Sequence, residues 1–270
     1  VQQITKELTI MADFKHLLIN REDKVAIVTL NRAEHFNTLN HEVWQEIHDA
    51  AQAVEDMGDI RAVVINAAGE HFSAGLDVKY LGEGSSEAVL MKANWLQSIY
   101  TVWEDFPVPV IAAVQGICYG GGTEFILACD IRVAASNLRI AIPEVRFGLA
   151  PDMGGTTRLP KLVGAGQAKR LIIACEEIDA YEAKAIGLVE VVVEPDKLME
   201  EAMRLANKIA GMPPVAVRMA KKGINLAVES SRMAGLLFEG AQSVYCCGTE
   251  DMKEAVRAFF EKRKPEFHGR

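Results

Sequence analysis

The stretch Val110-Ile111-Ala112-Ala113-Val114-Gln115-Gly116-Ile117-Cys118-Tyr119-Gly120-Gly121-Gly122-Thr123-Glu124 sets the fold by the order of its residue types. Five apolar residues in succession read as a strand buried on both faces. A loop over 115–122 with four glycines follows, and a helix then opens with Glu124 in its first turn. Glycine has no Cβ, so backbone N–H groups in such a loop can approach a ligand closely. The start of a helix adds the positive end of its dipole, which makes the N–H near Gly121 a natural anion donor. The bare alternative is a tight turn between two elements.

Outward from this unit, residues 16–20 and 25–30 read as two strands joined by the charged turn Arg21-Glu22-Asp23-Lys24. From the N-cap candidate Asn40, the residues Val43, Ile47, Ala50, Ala51 and Val54 recur at helical spacing until Gly58. A strand over 62–66, a glycine-bearing loop over 69–75 and a helix over 87–104 follow, the last closed by Pro107 and Pro109. Residues 131–135 read as another strand, and strands and helices alternate to about Val193, the pattern of an α/β domain with crossovers. After Pro195 only helices are expected, over 196–210, 215–228, 231–246 and 249–262. The resulting division is a leader or extension over 1–10, an α/β core over 11–200 and a helical region over 201–270.

The 270 residues are 50% hydrophobic, enough for a large core. No apolar run approaches the roughly 18 residues of a membrane span, and a cytoplasmic location is expected. Twenty-nine basic against 37 acidic residues give a net charge of -8, which argues against nucleic acid as the main partner. Five cysteines without metal-type spacing predict neither a metal site nor structural disulfides.

Familiar catalytic motifs fail. His41-Glu42-Val43-Trp44-Gln45 lacks the second histidine of a zinc-protease helix, and His71-Phe72-Ser73-Ala74-Gly75 lacks the first glycine of a nucleophile elbow. No dinucleotide fingerprint or phosphate loop occurs. What remains is a possible oxyanion site near Gly121, with a second donor from the loop Ser73-Ala74-Gly75-Leu76-Asp77. Two carboxylates, Glu124 and Glu144, come from separate elements. Such a pair suits proton transfer at a substrate carbon, one as base and one as acid.

Taken together, Ser73-Ala74-Gly75-Leu76-Asp77, Ala112-Ala113-Val114-Gln115-Gly116 with Gly120-Gly121-Gly122, Ala128-Cys129-Asp130-Ile131-Arg132, and Pro143-Glu144 with Gly154-Gly155 and Arg158-Leu159-Pro160 resemble the crotonase superfamily, and within it an enoyl-CoA hydratase/isomerase. The likeness runs from Val25 to Pro265. It implies an α/β spiral of repeated ββα units with a helical C-terminal region that builds trimers or hexamers. It also implies an oxyanion hole from the N–H groups of Ala74 and Gly121, with Ser73, Gly75, Leu76, Asp77 and Gly120 around the substrate. Glu124 and Glu144 match the two hydratase carboxylates that hold the water added to a 2-enoyl-CoA, Glu144 giving the proton to Cα. Lys262 and Lys264 become candidate contacts for coenzyme A phosphates. Coenzyme A belongs to the substrate, so no separate cofactor is expected.

One residue departs from the hydratase pattern. Asp152 stands where hydratases carry a small residue, and 144–152 resembles dienoyl-CoA isomerases, which in turn carry Asp at the position of Glu124. Asp152 is therefore read either as a third proton carrier, giving an isomerase that uses Glu144 and Asp152, or as a helix N-cap. A binding protein that keeps this fold without catalysis is the reading from another class.

Overall fold

The computed structural model describes residues 14–77, 79 and 86–270; the expected extension over 1–10 lies outside them. The described residues open on the hairpin of β1 (Leu17–Glu22) and β2 (Val25–Leu30), followed by α1 (His41–Asp56), β3 (Ala62–Ala67), α2 (Ser86–Glu104) and β4 (Val110–Val114). Next come β5 (Ile117–Tyr119), α3 (Gly121–Leu127), β6 (Ile131–Ala135), β7 (Arg139–Ala141), α4 (Gly155–Ile173), β8 (Ile178–Asp179), α5 (Ala180–Ala185) and β9 (Val191–Val193). Four helices close the chain: α6 (Leu198–Ala210), α7 (Pro214–Glu229), α8 (Arg232–Cys247) and α9 (Glu250–Glu261).

One sheet has the order β1-β2-β3-β4-β6-β9, parallel except for the opening hairpin. A smaller sheet, β5-β7-β8, stands beside it. The central strand β4 is buried on both faces, as its unbroken apolar run requires. Val110, Ala112 and Val114 face the larger core with Val63 and Ile65, while Ile111 and Ala113 face a second core with Ala62 and Val64. Leu198, Ala202, Ala206 and Ala210 of α6 cover that second core. The helix thus straddles the boundary expected near residue 200 and packs on the sheet; small residues at this spacing let it lie close to the strands.

Asn40 caps α1 as expected, its Oδ1 accepting from Val43 N–H at 2.9 Å. The loop read over 115–122 instead contains β5, whose residues pair with β7 from Ile117 opposite Arg139 to Tyr119 opposite Ala141. The five cysteines are all free. Among the described residues, no helix is long and apolar enough to cross a membrane. Helices α7–α9 expose Ile224, Met233, Leu237, Val244, Phe259 and Phe260, which makes a broad apolar surface at the end of the chain.

Candidate active site

The turn from β5 into α3 depends on Gly120, whose φ of 51° and ψ of −124° suit glycine. Its missing side chain also leaves space: a Cβ there would stand 2.6 Å from Glu144 Oε1. Gly121 follows as the first residue of α3, and among the described residues its N–H donates to nothing. That is the unused donor expected at a helix start.

The loop 73–77 packs against this turn. A Cβ on Gly75 would lie 2.8 Å from Tyr119 O and 3.6 Å from Gly120 Cα, and one on Gly122 would lie 2.7 Å from Ser73 Cβ. Ser73 is buried, its Oγ donating to Asn37 O at 2.8 Å and accepting from Gly75 N–H at 3.1 Å, so its hydroxyl shapes the loop. Asp77 is tied to Arg32 at 3.3 Å, and its N–H donates to Leu39 O at 2.9 Å. Ala74, expected as the second oxyanion donor, gives its N–H to Phe36 O at 3.0 Å. A donor already engaged with a carbonyl cannot also grip a thioester oxygen. Leu76 N–H is the one in this loop that donates to nothing among the described residues. This corrects the expectation by two residues. Leu76 was read only as lining the substrate; the sequence does not show that Phe36, 38 residues upstream of Ala74, accepts the Ala74 bond.

Glu124 is 2% exposed. Its Oε1 accepts from Met153 N–H at 3.0 Å and Gly155 N–H at 2.8 Å. Arg158 fixes that donor segment by reaching Met153 O at 2.9 Å and Glu104 at 2.7 Å. Burial pushes the Glu124 carboxyl up to about 7; the Gly155 and Met153 N–H bonds oppose this, and the charges of Glu144 and Asp152 add to it. Glu144 begins a short 3-10 turn, Glu144–Phe147, and its Oε2 is buried without a hydrogen-bond partner. Burial raises its pKa, as does the nearby Asp152. Asp152 stands at the exposed rim, yet the protein packed around its carboxyl still raises its pKa. It is not the helix cap: α4 is capped by Gly154 with no side-chain bond, because the chain turns at Met153 and Gly154 before the helix begins.

Three carboxyls whose pKa values are all raised thus converge beside two unused N–H donors. Among the described residues no three His, Cys, Asp or Glu side chains could hold a metal ion. Lys262 and Lys264 are not brought here within one chain. They lead into a tail whose Phe267 O accepts from Arg61 at 2.8 Å, at the end of β3 away from the 73–77 loop.

The family model for enoyl-CoA hydratase/isomerase matches residues 20–270. The chain belongs to that family. It is 40% identical over 255 residues to the short-chain-enoyl-CoA hydratase of Clostridium acetobutylicum, covering 94% of this chain and 98% of that one. It is 36% identical to the crotonyl-CoA hydratase of Syntrophomonas wolfei, with the same coverage. The crystal structure of an enoyl-CoA hydratase from Bacillus anthracis superposes with a TM-score of 0.90 at 36% identity, over 95% of this chain and all of that one. As in its enoyl-CoA hydratase/isomerase relatives, the fold is a crotonase-type α/β spiral followed by helices.

The raised pKa of Glu124 has a consequence for stability. The carboxyl titrates near 4.5 in the unfolded chain and near 7 in the folded one. Between those values the native state holds a proton that the unfolded state has released. The associated stability is complete below pH 4.5 and is lost as pH rises through 7. A shift of this size is on the order of 3 kcal/mol. Glu124→Gln should flatten the fall in thermal stability between pH 5 and pH 8; parallel profiles for the two proteins would show that Glu124 is not the group responsible.

Proposed function

We propose that this protein hydrates short 2-enoyl-CoA thioesters. The observation that carries the reading is the convergence of the buried Glu124 and the half-buried Glu144, whose Oε2 is itself buried and unpartnered, on a helix start with an unused N–H. The N–H groups of Gly121 and Leu76 grip the thioester oxygen, so that negative charge forming on it as an enolate meets donors already in place. Glu124, its Oε1 held by two N–H bonds, has Oε2 left to orient and deprotonate water for attack at Cβ. Glu144, whose buried Oε2 lacks any donor and whose pKa burial raises, serves as the acid that delivers a proton to Cα. No further cofactor takes part; coenzyme A arrives with the substrate. The short acyl chain follows from the names of the two relatives, one a short-chain-enoyl-CoA and one a crotonyl-CoA hydratase.

The apolar surface of α7–α9 is taken as the contact between copies in a trimer or hexamer, an arrangement in which Lys262 and Lys264 serve the coenzyme A phosphates of a neighbouring subunit. A binding protein without catalysis has no use for ionisable groups buried at this cost.

A second reading, dienoyl-CoA isomerisation, has one observation in its favour: Asp152 lies close enough to Glu144 to raise its pKa. Assaying 2-enoyl-CoA hydration and 3,5-dienoyl-CoA isomerisation on the same preparations of wild type and Asp152→Asn separates the two. The hydratase reading expects hydration in the wild type and a rate within about threefold of it in Asp152→Asn, since the water is held elsewhere. Isomerisation in the wild type that is abolished in Asp152→Asn would replace this reading, because an amide cannot accept and return a proton.

A further inference from the structure

The Leu76 N–H is aimed by its neighbours, and the aim traces back to one side chain. A peptide unit is planar and trans, so its C=O and its N–H point in opposite directions. Gly75 O accepts from Leu39 N–H at 2.8 Å, which turns the N–H of the same unit, that of Leu76, away from the 36–39 segment. On its other side the loop is paired with β5, Tyr119 N–H donating to Ser73 O at 2.9 Å just before β5 runs into Gly120 and Gly121. The same geometry holds one step back. Leu39 N–H shares its unit with Thr38 O, which accepts from Arg32 Nη1 at 2.9 Å. Arg32 Nη1 also reaches Thr38 Oγ1 at 2.7 Å, and Nη2 reaches Asp77 Oδ2 at 3.3 Å, both side chains being largely shielded from solvent. The guanidinium thus spans the two segments. Asn37, also buried, secures the start of the loop: its Oδ1 accepts from Arg32 N–H at 2.8 Å, and its Nδ2 donates to Ala68 O at 2.9 Å and His71 O at 2.8 Å. Leu39 itself is fully buried, and its Cδ1 would stand 3.1 Å from a Cβ on Gly121, so one residue touches both oxyanion turns.

We propose that Arg32 is a positioning residue for the oxyanion hole, the head of a relay that runs from its guanidinium through two peptide units, the one joining Thr38 to Leu39 and the one joining Gly75 to Leu76, to the thioester oxygen. This rests on the reading of Leu76 and Gly121 as the oxyanion pair. The relay acts through geometry and through charge. The bridge to Asp77 fixes the 36–39 segment against the 73–77 loop, and a donor about 1 Å out of place loses much of its hold on the transition state. A cation on Thr38 O polarises that unit and makes Leu39 N–H a stronger donor, and the gain passes on to Leu76 because hydrogen bonds in a chain strengthen one another away from water. The effect is largest where charge develops on the thioester oxygen, so Arg32 supports turnover more than binding. Arginine suits the place better than lysine, since its planar fork bonds a carbonyl, a hydroxyl and a carboxylate together.

The test uses 4-(dimethylamino)cinnamoyl-CoA, a conjugated thioester whose absorption moves to longer wavelength as its carbonyl oxygen is drawn toward donors. Bound at saturation, it should show a red shift in the wild type, and Arg32→Met should lose about half of that shift or more. Arg32→Lys, which keeps the cation but cannot bridge Thr38 and Asp77, should recover part of it. With 2-butenoyl-CoA, kcat should fall about tenfold or more in Arg32→Met while KM stays within about threefold. A full red shift in folded Arg32→Met, whatever its Tm, overturns the proposal, because the arginine then serves only the fold. So does a rise in KM with kcat unchanged. Should Arg32→Met not fold, Arg32→Gln, which can still donate to Thr38 O but carries no charge, is measured in its place, and an unchanged shift there overturns the proposal equally. A wild type that shifts the probe but hydrates no 2-enoyl-CoA defeats the hydratase reading alone, whereas one that binds the probe without shifting it defeats the oxyanion pair and this proposal with it.

Discussion

Glu124→Gln and Glu144→Gln are each expected to slow hydration by about 10²-fold or more, with the double variant losing less than the product of the two. The size follows from the work each carboxyl does. Gln is nearly the same shape as Glu, so the Glu124 variant still accepts from Met153 and Gly155 through its amide oxygen, and the fold around it survives. What disappears is the ability to take up or release a proton. Sub-additivity follows because both groups act on one water and one substrate: once either is gone, the other has less to assist. Steady-state kcat/KM with 2-butenoyl-CoA measures this, and a Glu144→Gln enzyme of normal activity would remove that residue from the mechanism.

Gly121→Pro is expected to cost a comparable amount, about 3–4 kcal/mol of transition-state stabilisation, by deleting one of the two oxyanion donors. The position suits the experiment. Gly121 is the first residue of α3, where proline is well accommodated and no intrahelical bond is lost. The added ring meets Leu39 Cδ1 at about the 3.1 Å of a Cβ, and the end of a leucine side chain can give way. Gly121→Ala is the control, since it adds the Cβ but keeps the N–H. If the N–H is what matters, Pro should abolish most turnover while Ala loses little. Equal losses in the two variants would point to crowding by Leu39 and not to the donor.

Much of this architecture can be read in the chain because it rests on local patterns. The five apolar residues of β4, the cap at Asn40 and the helical spacing of Val43, Ile47, Ala50 and Val54 each reflect physics acting within a few residues. The short strands β5, β7 and β8 are hidden because two or three residues carry no period. Both glutamates could be named from the sequence, but the donor in the 73–77 loop was misplaced at Ala74. Four consecutive N–H groups look alike until the distant acceptors Phe36, Ser73 Oγ and Leu39 are known. Asp152 looked like a cap because it follows a proline, but the Gly154-Gly155 turn delays α4 beyond its reach.

The glycines around the site also constrain how this protein can change over generations. A Cβ on Gly120 would meet Glu144 Oε1 at 2.6 Å, and one on Gly155 would meet Pro151 Cβ at 2.8 Å and Glu124 Oε1 at 3.0 Å, so each glycine leaves room for a carboxyl of the proposed site. Mutations at a glycine and at its carboxyl are therefore epistatic. Alanine at position 120 is strained by the backbone whatever stands opposite, and contact with Glu144 adds to that harm while the side chain is present. A variant that has lost the Glu144 carboxylate is spared that contact but not the backbone strain. Restoring the glutamate opposite an alanine at 120 would place its carboxylate against a methyl group, so the glycine has to return before the carboxylate.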